Sequence, residues 1–294
     1  MQAVDTFTDL DRTLTEHAIP MNILLTGAEG NFGSEFRRLT DARSDVRLIP
    51  VGRGDWTAVL EKMAMADIVV HAASDLHTSA SLAPTRLLDS NVMTTAVLLE
   101  AAKKLHIKRF VFLSSCAVYG EDMRTGEDSL CCPITINGIS KYLNEKLVAE
   151  FCTANAIEYQ IFRVFNSYGG DDRFSIFSKL KRALHNHTPF TLNNDGRMQR
   201  DFVHVTDVAS IVLNLLNARI EHTHLNIGTG VATKISTLVD MVQAQFPQLV
   251  IQRGSTQEAE YSRADTTRLR EFWHGDFIRI EDYVREQLAG YISL

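Results

Sequence analysis

The chain has 294 residues, of which 45% are hydrophobic and 22% charged. That is the make-up of a globular protein with a large core, not of a disordered one. A formal net charge of −6 and the lack of any apolar run near the roughly 20 residues of a membrane span exclude a general pull toward nucleic acid or a membrane.

Residues 1–20 read as an N-terminal extension, with Phe7, Leu10 and Leu14 on one stripe of a short helix. From Met21 short apolar strands alternate with amphipathic helices. Strands are predicted at MNILLTG (21–27), VRLIPVG (46–52), DIVVHAA (67–73), KRFVFLSS (108–115) and EYQIFRVF (158–165). Between them lie helices over FGSEFRRLT, a short TAVLEKMAMA, DSNVMTTAVLLEAAKKL (89–105) and ISKYLNEKLVAEFCTAN. This alternation predicts an α/β fold, a Rossmann-type doubly wound parallel sheet over residues 21–165. Beyond residue 165 the rhythm breaks. Helices near 174–186, 206–218, 235–246 and 281–290, and strands near 189–192, 201–204 and 224–227, suggest a smaller C-terminal α+β lobe over 166–294. Part of that half is expected to return a strand and a helix to the main sheet.

The four cysteines have no C-x-x-C spacing, and His185, His187, His222 and His224 have no ligand spacing. No metal is expected, and the cysteines read as reduced. Asp5, Asp9, Asp11 and Glu16 are unlike a secretory or transit leader, so the expected compartment is the cytoplasm.

The stretch TGAEGNFG (26–33) ends the first strand and opens a helix, with Gly27, Gly30 and Gly33. Glycines there allow a tight turn, close backbone approach to a pyrophosphate and tight helix packing, and the helix N-terminus offers N–H groups to the anion. A glycine-rich turn without a ligand is the plainer alternative. The position at the first strand–helix junction favours a dinucleotide.

Five further segments carry a family likeness: SSCAVYG (114–120), NVMTTAVLLEAA (91–102, with Thr94 where glycine is usual), FRVFNSYG (162–169), QRDFVHVTDVA (199–209) and NIGTG (226–230). With the G-x-x-G-x-x-G loop, the chain from Met21 resembles the extended short-chain dehydrogenase/reductases, the NAD-dependent nucleotide-sugar epimerase/dehydratase family. The resemblance implies NAD or NADP held by Gly27, Glu29, Gly30, Asn31, Phe32, Gly33, Ala72, Ala73, Asn91 and Lys141. It implies a nucleotide-sugar substrate at Ser115, Cys116, Asn166 and Arg200, the last two facing its diphosphate. It also implies a homodimer through the helices around 90–104 and 139–153. For Arg200 the plainer alternative is a salt bridge with Asp201. At the end of the second strand an acidic residue would bind the adenosine ribose and an arginine the extra phosphate of NADP. Arg53 and Asp55 compete there, with a slight lean to NADP from Arg53.

The family's proton chemistry uses a serine with a Tyr-x-x-x-Lys pair, whose spacing of four puts both groups on one helical face. By motif position the serine is Ser115 and the lysine Lys141, but the tyrosine position holds Asn137. An amide cannot take or give a proton near neutral pH, although Asn also suits a helix cap. Tyr142 points about a quarter-turn away, and Tyr119 and Tyr168 are poor substitutes. A substrate hydroxyl, Ser115, Lys141 or water is left to move the proton. In the family's 4,6-dehydratases Asp-Glu follows the serine. Here Cys116 and Ala117 stand instead, which favours 4-keto reduction or epimerisation. The alternative is an inactive relative that binds NAD(P) or a nucleotide sugar in a regulatory or scaffolding role.

Overall fold

MNILLT carries no charge and no residue that breaks a strand, and it becomes the inner strand around which the sheet is ordered. The structure, a computed structural model, describes residues 20–52, 58–75, 84–256 and 259–288. Most of the expected N-terminal extension, together with Arg53 and Asp55, lies outside these residues. In chain order the elements of the first half are β1 (Met21–Thr26), α1 (Asn31–Thr40), β2 (Val46–Val51), α2 (Val59–Met63), β3 (Ile68–His71), α3 (Thr94–Lys104), β4 (Arg109–Ser115), β5 (Asp122–Thr125), α4 (Ile136–Ala154) and β6 (Glu158–Val164). There follow β7 (Asn166–Tyr168), α5 (Ile176–His185), β8 (Phe190–Asn193), β9 (Gln199–His204), α6 (Val205–Leu215), β10 (His224–Ile227), β11 (Ala232–Lys234), α7 (Ile235–Gln245), β12 (Ile251–Gly254) and β13 (Tyr261–Ala264).

Six strands form one parallel sheet in the order β2-β1-β3-β4-β6-β10. The chain runs outward from β1 to β2, then crosses back to place β3 on the other side of β1. Strand order therefore reverses between β1 and β3, and the crevice at their carboxyl ends is where such sheets bind ligands. Successive side chains of a strand point to opposite faces. Ile23, Leu25, Val70, Val111 and Phe162 pack on one face with Phe36 of α1 and Val208, Ile211 and Val212 of α6. Leu24, Val69, Phe110, Phe112 and Ile161 pack on the other with Leu98 and Leu99 of α3 and Val148 and Cys152 of α4. Burial on both faces explains why these strands read as continuous apolar runs.

Two elements from beyond residue 166 return to this sheet: β10 pairs in parallel with β6, and α6 packs against α1. The remaining strands make a second sheet, β11-β9-β13-β5, with β7 beside β9, and a small β8–β12 pair. The helix expected over 89–105 is regular only from Thr94. Residues Leu88–Met93 form a π-helical stretch, a local widening often found at functional sites.

Helix α1 approaches β1 closely because position 33 has no side chain. A Cβ at Gly33 would lie 2.2 Å from Gly27 O and 2.7 Å from Ala28 Cα, whereas one at Gly30 would meet only Gly27 O, at 3.2 Å. Gly33→Ala is therefore expected to destabilise by about 1–3 kcal/mol. Gly30→Ala should cost less than about 1 kcal/mol. Urea denaturation of the two variants checks the contrast.

Candidate active site

The loop after β1 builds a cradle open to an anion. Gly27 has φ +72, and a Cβ there would lie 2.8 Å from Ala73 N, so this left-handed turn seats the loop on Ala72–Ala73 at the end of β3. Ala28 N bonds to Val51 O at 3.3 Å and Gly30 N to Gly27 O at 2.9 Å. Gly30 is the N-cap of α1 and gives no side-chain cap. The first-turn N–H groups, which have no carbonyl of an earlier turn to bond, are left to a ligand. Asn31 Nδ2 donates to Gly169 O at 3.0 Å, tying the cradle to the turn after β7. Phe32 anchors the helix start against Phe36, with ring centroids 5.4 Å apart. The exposed carboxylate of Glu29 lies over Gly52 at the end of β2. Asn91, buried in the π-helical stretch, accepts from Asp75 N at 2.7 Å and shapes the segment after β3. This arrangement fits a dinucleotide, and Gly30, Asn31 and Phe32 are the residues that would face its pyrophosphate.

Beside the cradle, β4 ends in Ser115, whose Oγ accepts from Ala117 N at 3.2 Å. Thr135, not Asn137, caps α4: its Oγ1 accepts from Gly138 N at 3.1 Å. Asn137 falls inside the first turn, because Thr135 has the extended backbone that a cap requires. Gly138 lets that turn press onto the segment after Ser115, since a Cβ there would lie 2.5 Å from Ala117 O. Asn137 Oδ1 is shielded from solvent and accepts no hydrogen bond from the described residues.

One turn on, Lys141 is buried. Its Nζ donates to Leu113 O at 2.7 Å and lies 4.8 Å from the centroid of the Phe112 ring. Burial lowers its pKa to about 8, with Glu145 pulling the other way. His71 stands behind it between Thr26 Oγ1, 2.7 Å from Nδ1, and Thr95 Oγ1, 3.0 Å from Nε2. Burial first, and then Lys141, take His71 down to about 3, so its ring is neutral at pH 7.

Two charged residues at this site escaped the sequence reading. Glu145 and Arg163 form a buried pair, with Nη2 to Oε2 at 2.8 Å and Nε to Oε1 at 3.1 Å. Ser114 Oγ donates to the same carboxylate at 2.5 Å. Arg163 also donates to Tyr119 OH at 3.0 Å and Glu127 O at 2.9 Å. The available signal was the position of Glu145, four residues after Lys141 on the same face, and that of Arg163 within FRVFNSYG. His71 gave no signal, being one histidine in an apolar strand.

The second sheet holds the remaining candidates. Cys116 is buried, and burial pushes its thiol up to about 11, so it stays protonated near neutral pH. Asn166 Nδ2 donates to Asp201 O at 2.9 Å and Ser262 Oγ at 3.2 Å. Arg200 donates to Gln199 O at 2.9 Å and Ala259 O at 2.6 Å. Asp201 accepts instead from Thr229 N, Gly230 N and Ala264 N, and thereby pins β9 to β13 and the turn after β10. Tyr119 donates to Asn226 Oδ1 at 2.6 Å and is pushed up to about 12, chiefly by burial. Tyr168 donates to Ile278 O at 3.0 Å. Both hydroxyls are thus committed away from Asn137. His204 caps α6 through Nδ1, which accepts from Thr206 N at 3.2 Å. Among the described residues no group of three or more His, Cys, Asp or Glu could hold a metal ion, and no helix is long and apolar enough to cross a membrane.

A glycine cradle at the switch point of a parallel sheet, with a serine and a lysine beside it, is the layout of a dinucleotide-dependent oxidoreductase fold. Residues 23–228 match the NAD dependent epimerase/dehydratase family, and the chain belongs to it. A protein of Methanocaldococcus jannaschii described as a putative UDP-glucose 4-epimerase is 35% identical over 191 residues, covering 61% of each chain. The match therefore spans about three fifths of that relative's length. Among solved structures, the NAD-dependent NDP-hexosamine 5,6-dehydratase TunA of tunicamycin biosynthesis is 26% identical, with a TM-score of 0.85 over 93% of this chain and 98% of that one. MoeE5, solved with UDP-glucuronic acid and NAD, is also 26% identical, with a TM-score of 0.81 over 92% and 98%. The lean to NADP drawn from Arg53 finds no support in a family that is NAD dependent.

Removing one partner of a buried ion pair leaves the other charged and desolvated. Glu145→Ala should therefore lower the unfolding free energy by about 3–5 kcal/mol. Chemical denaturation tests this, and a loss under about 1 kcal/mol would show that Arg163 finds another partner.

Proposed function

We propose that the protein is an NAD-dependent enzyme that oxidises or reduces one carbinol carbon of a nucleotide-activated sugar, as an epimerase or keto-reductase. In this reading Lys141 carries the proton and Asn137 holds the reacting oxygen. One observation carries it: Asn137 and Lys141 lie one turn apart on α4, and that helix is seated on the end of β4 beside the glycine cradle. UDP-sugars are the favoured substrates, on the strength of the relatives' names. Chemistry at the 4-position is favoured over 4,6-dehydration because Cys116 and Ala117 supply no carboxylate after Ser115.

The chain's own groups divide the work. Ser115 Oγ accepts from Ala117 N, which leaves its O–H free to donate to a substrate oxygen. The Asn137 amide meets the same oxygen without exchanging a proton. When a substrate hydroxyl is oxidised, its O–H bond breaks and the proton passes to the neutral amine of Lys141. When a ketone is reduced, the ammonium returns it. The Lys141–Leu113 hydrogen bond aims the amine, and two of its three ammonium hydrogens remain for the substrate side. A nicotinamide dinucleotide in the cradle would supply the hydride acceptor or donor.

The test is a panel of UDP-, GDP- and dTDP-sugars and their 4-keto forms, scored by product and cofactor absorbance. Turnover by the wild type is expected. Asn137→Tyr should shift the pH profile, since a phenol then shares the proton work. Turnover absent in the wild type but gained in Asn137→Tyr would instead mark an inactive relative.

The same reading makes the protein a homodimer. Met93 at the end of the π-helical stretch, Val97 on α3, and Ile139 and Leu143 on α4 are large apolar side chains between 42% and 55% exposed on neighbouring helical segments. Their spacings of four put each pair on one face. Val97→Glu together with Leu143→Glu should give a monomer by analytical ultracentrifugation. A wild type that is already monomeric would refute the dimer.

A further inference from the structure

The hydrogen bonds around His71 run in one direction, and their two ends set it. Ala73 N, which can only donate, bonds to Thr26 Oγ1 at 3.2 Å. Thr26 Oγ1 lies 2.7 Å from His71 Nδ1, and His71 Nε2 lies 3.0 Å from Thr95 Oγ1. Thr95 Oγ1 in turn donates at 2.8 Å to Asn91 O, which can only accept. A hydroxyl has one hydrogen. Thr95 gives its own to Asn91, so it accepts from His71 Nε2–H, and Nδ1 then accepts the hydrogen of Thr26. The opposite order would leave the Thr26 hydrogen with no acceptor among the described residues and Asn91 O without Thr95. Thr26, His71 and Thr95 are each at most 1% exposed, so water cannot replace what that order loses.

The two ends of this chain of bonds belong to different parts of the site. Ala73 is the floor on which the Gly27 turn is seated, since a Cβ at Gly27 would lie 2.8 Å from Ala73 N. Asn91 O also accepts from Asn144 Nδ2 at 3.2 Å, and Asn144 stands three residues after Lys141 on α4. His71 and Lys141 both lie against the Phe112 ring, the imidazole centroid 5.6 Å and Nζ 4.8 Å from its centroid. We infer that His71 is a positioning residue: fixed as the neutral Nε2–H tautomer, it couples the cofactor floor at Ala73, through Thr95 and Asn91, to the helix that carries Lys141. Its role deepens the proposed function and rests on that reading, whereas the tautomer rests on the hydrogen bonds alone. Histidine suits the task because one rigid ring presents a donor and an acceptor on different sides. Cofactor affinity depends on the cradle. The rate of the redox step depends also on where Lys141 stands relative to that cradle, so losing the coupling should fall on the rate.

A long-range proton–nitrogen correlation spectrum of the full chain, labelled at its histidines, reads the tautomer without any turnover, and His71→Gln assigns the His71 signals. Nε2 should carry the hydrogen and Nδ1 none, unchanged between about pH 5.5 and 8.5, with Lys141 of α4 the charged neighbour that opposes a second proton. A hydrogen on Nδ1, or protonation of both nitrogens near about pH 6.5, would overturn the inference. Two substitutions at Thr95 read the role. Thr95→Ser keeps the hydroxyl and loses a methyl group, whereas Thr95→Val keeps the shape and loses the hydroxyl. In single turnover with a UDP-sugar at saturating NAD⁺, Thr95→Val should slow cofactor reduction at least about tenfold. Its NAD⁺ affinity, by isothermal titration, should change less than about threefold. Thr95→Ser should reduce cofactor within about threefold of the wild-type rate. Thr95→Ser as slow as Thr95→Val, Thr95→Val at the wild-type rate, or affinity falling along with rate would each overturn the role. A wild type that binds NAD⁺ but reduces none with any UDP-sugar would remove the proposed function and the role together, and the tautomer would still be judged by its spectrum.

Discussion

The contact between Gly138 and the carbonyl of Ala117 governs the geometry of the site. It is a backbone-to-backbone approach that no residue with a Cβ could make without displacement, because that atom would sit 2.5 Å from the oxygen. Through it the first turn of α4 lies on the turn that follows Ser115, and Asn137 and Lys141 reach the carboxyl end of β4. Thr135 fixes where the helix begins, so the contact also sets which residues face inward. Gly27 and Gly33 do the corresponding work on the cofactor side, bringing the loop down on β3 and the helix down on the loop. The proposed catalytic groups and the cradle are thus placed by side chains that are missing.

Electrostatics then decides what the placed groups can do. Burial draws the Lys141 ammonium toward its neutral form, and a carboxylate one turn away would reverse that if its charge were free. Glu145 is not free. Arg163 and Ser114 both hold its carboxylate, so Lys141 receives only part of its compensation and burial keeps its pKa down at about 8. The neutral ring of His71 adds no charge to the same wall. A tyrosine at position 137 would need a charged lysine to lower its phenol pKa. With an amide there, the proposed route gives the proton to Lys141 itself.

What could be read in the sequence was mostly local. Continuous apolar runs gave the parallel strands, because burial on both faces leaves no alternation to confuse them. Glycine spacing at the first junction gave the cradle. The short strands β5, β7, β11, β12 and β13 could not be read, since three- or four-residue segments owe their pairing to partners far along the chain. Thr135 rather than Asn137 caps the helix because, although both residue types suit a cap, only Thr135 has the extended backbone a cap requires. The i, i+4 spacing puts Glu145 on the face of Lys141, but that Glu145 meets Arg163, or that Glu29 lies over Gly52, depends on how separate segments are brought together by the fold. Arg53 drew attention at the strand end because it is adjacent in sequence. The carboxylate that lies over Gly52 comes from the preceding loop.

The role of Lys141 as the proton carrier is the one most directly open to test. A single-turnover experiment tests this, mixing the NAD⁺-loaded protein with a UDP-sugar and following formation of reduced cofactor across pH. With burial lowering the Lys141 pKa to about 8, the reduction rate should rise as pH passes upward through that value, because only the neutral amine accepts the hydroxyl proton. Lys141→Met should abolish the phase while NAD⁺ still binds. A Lys141→Met protein that reduces cofactor at the wild-type rate and with the same pH profile would show that Lys141 does not carry the proton.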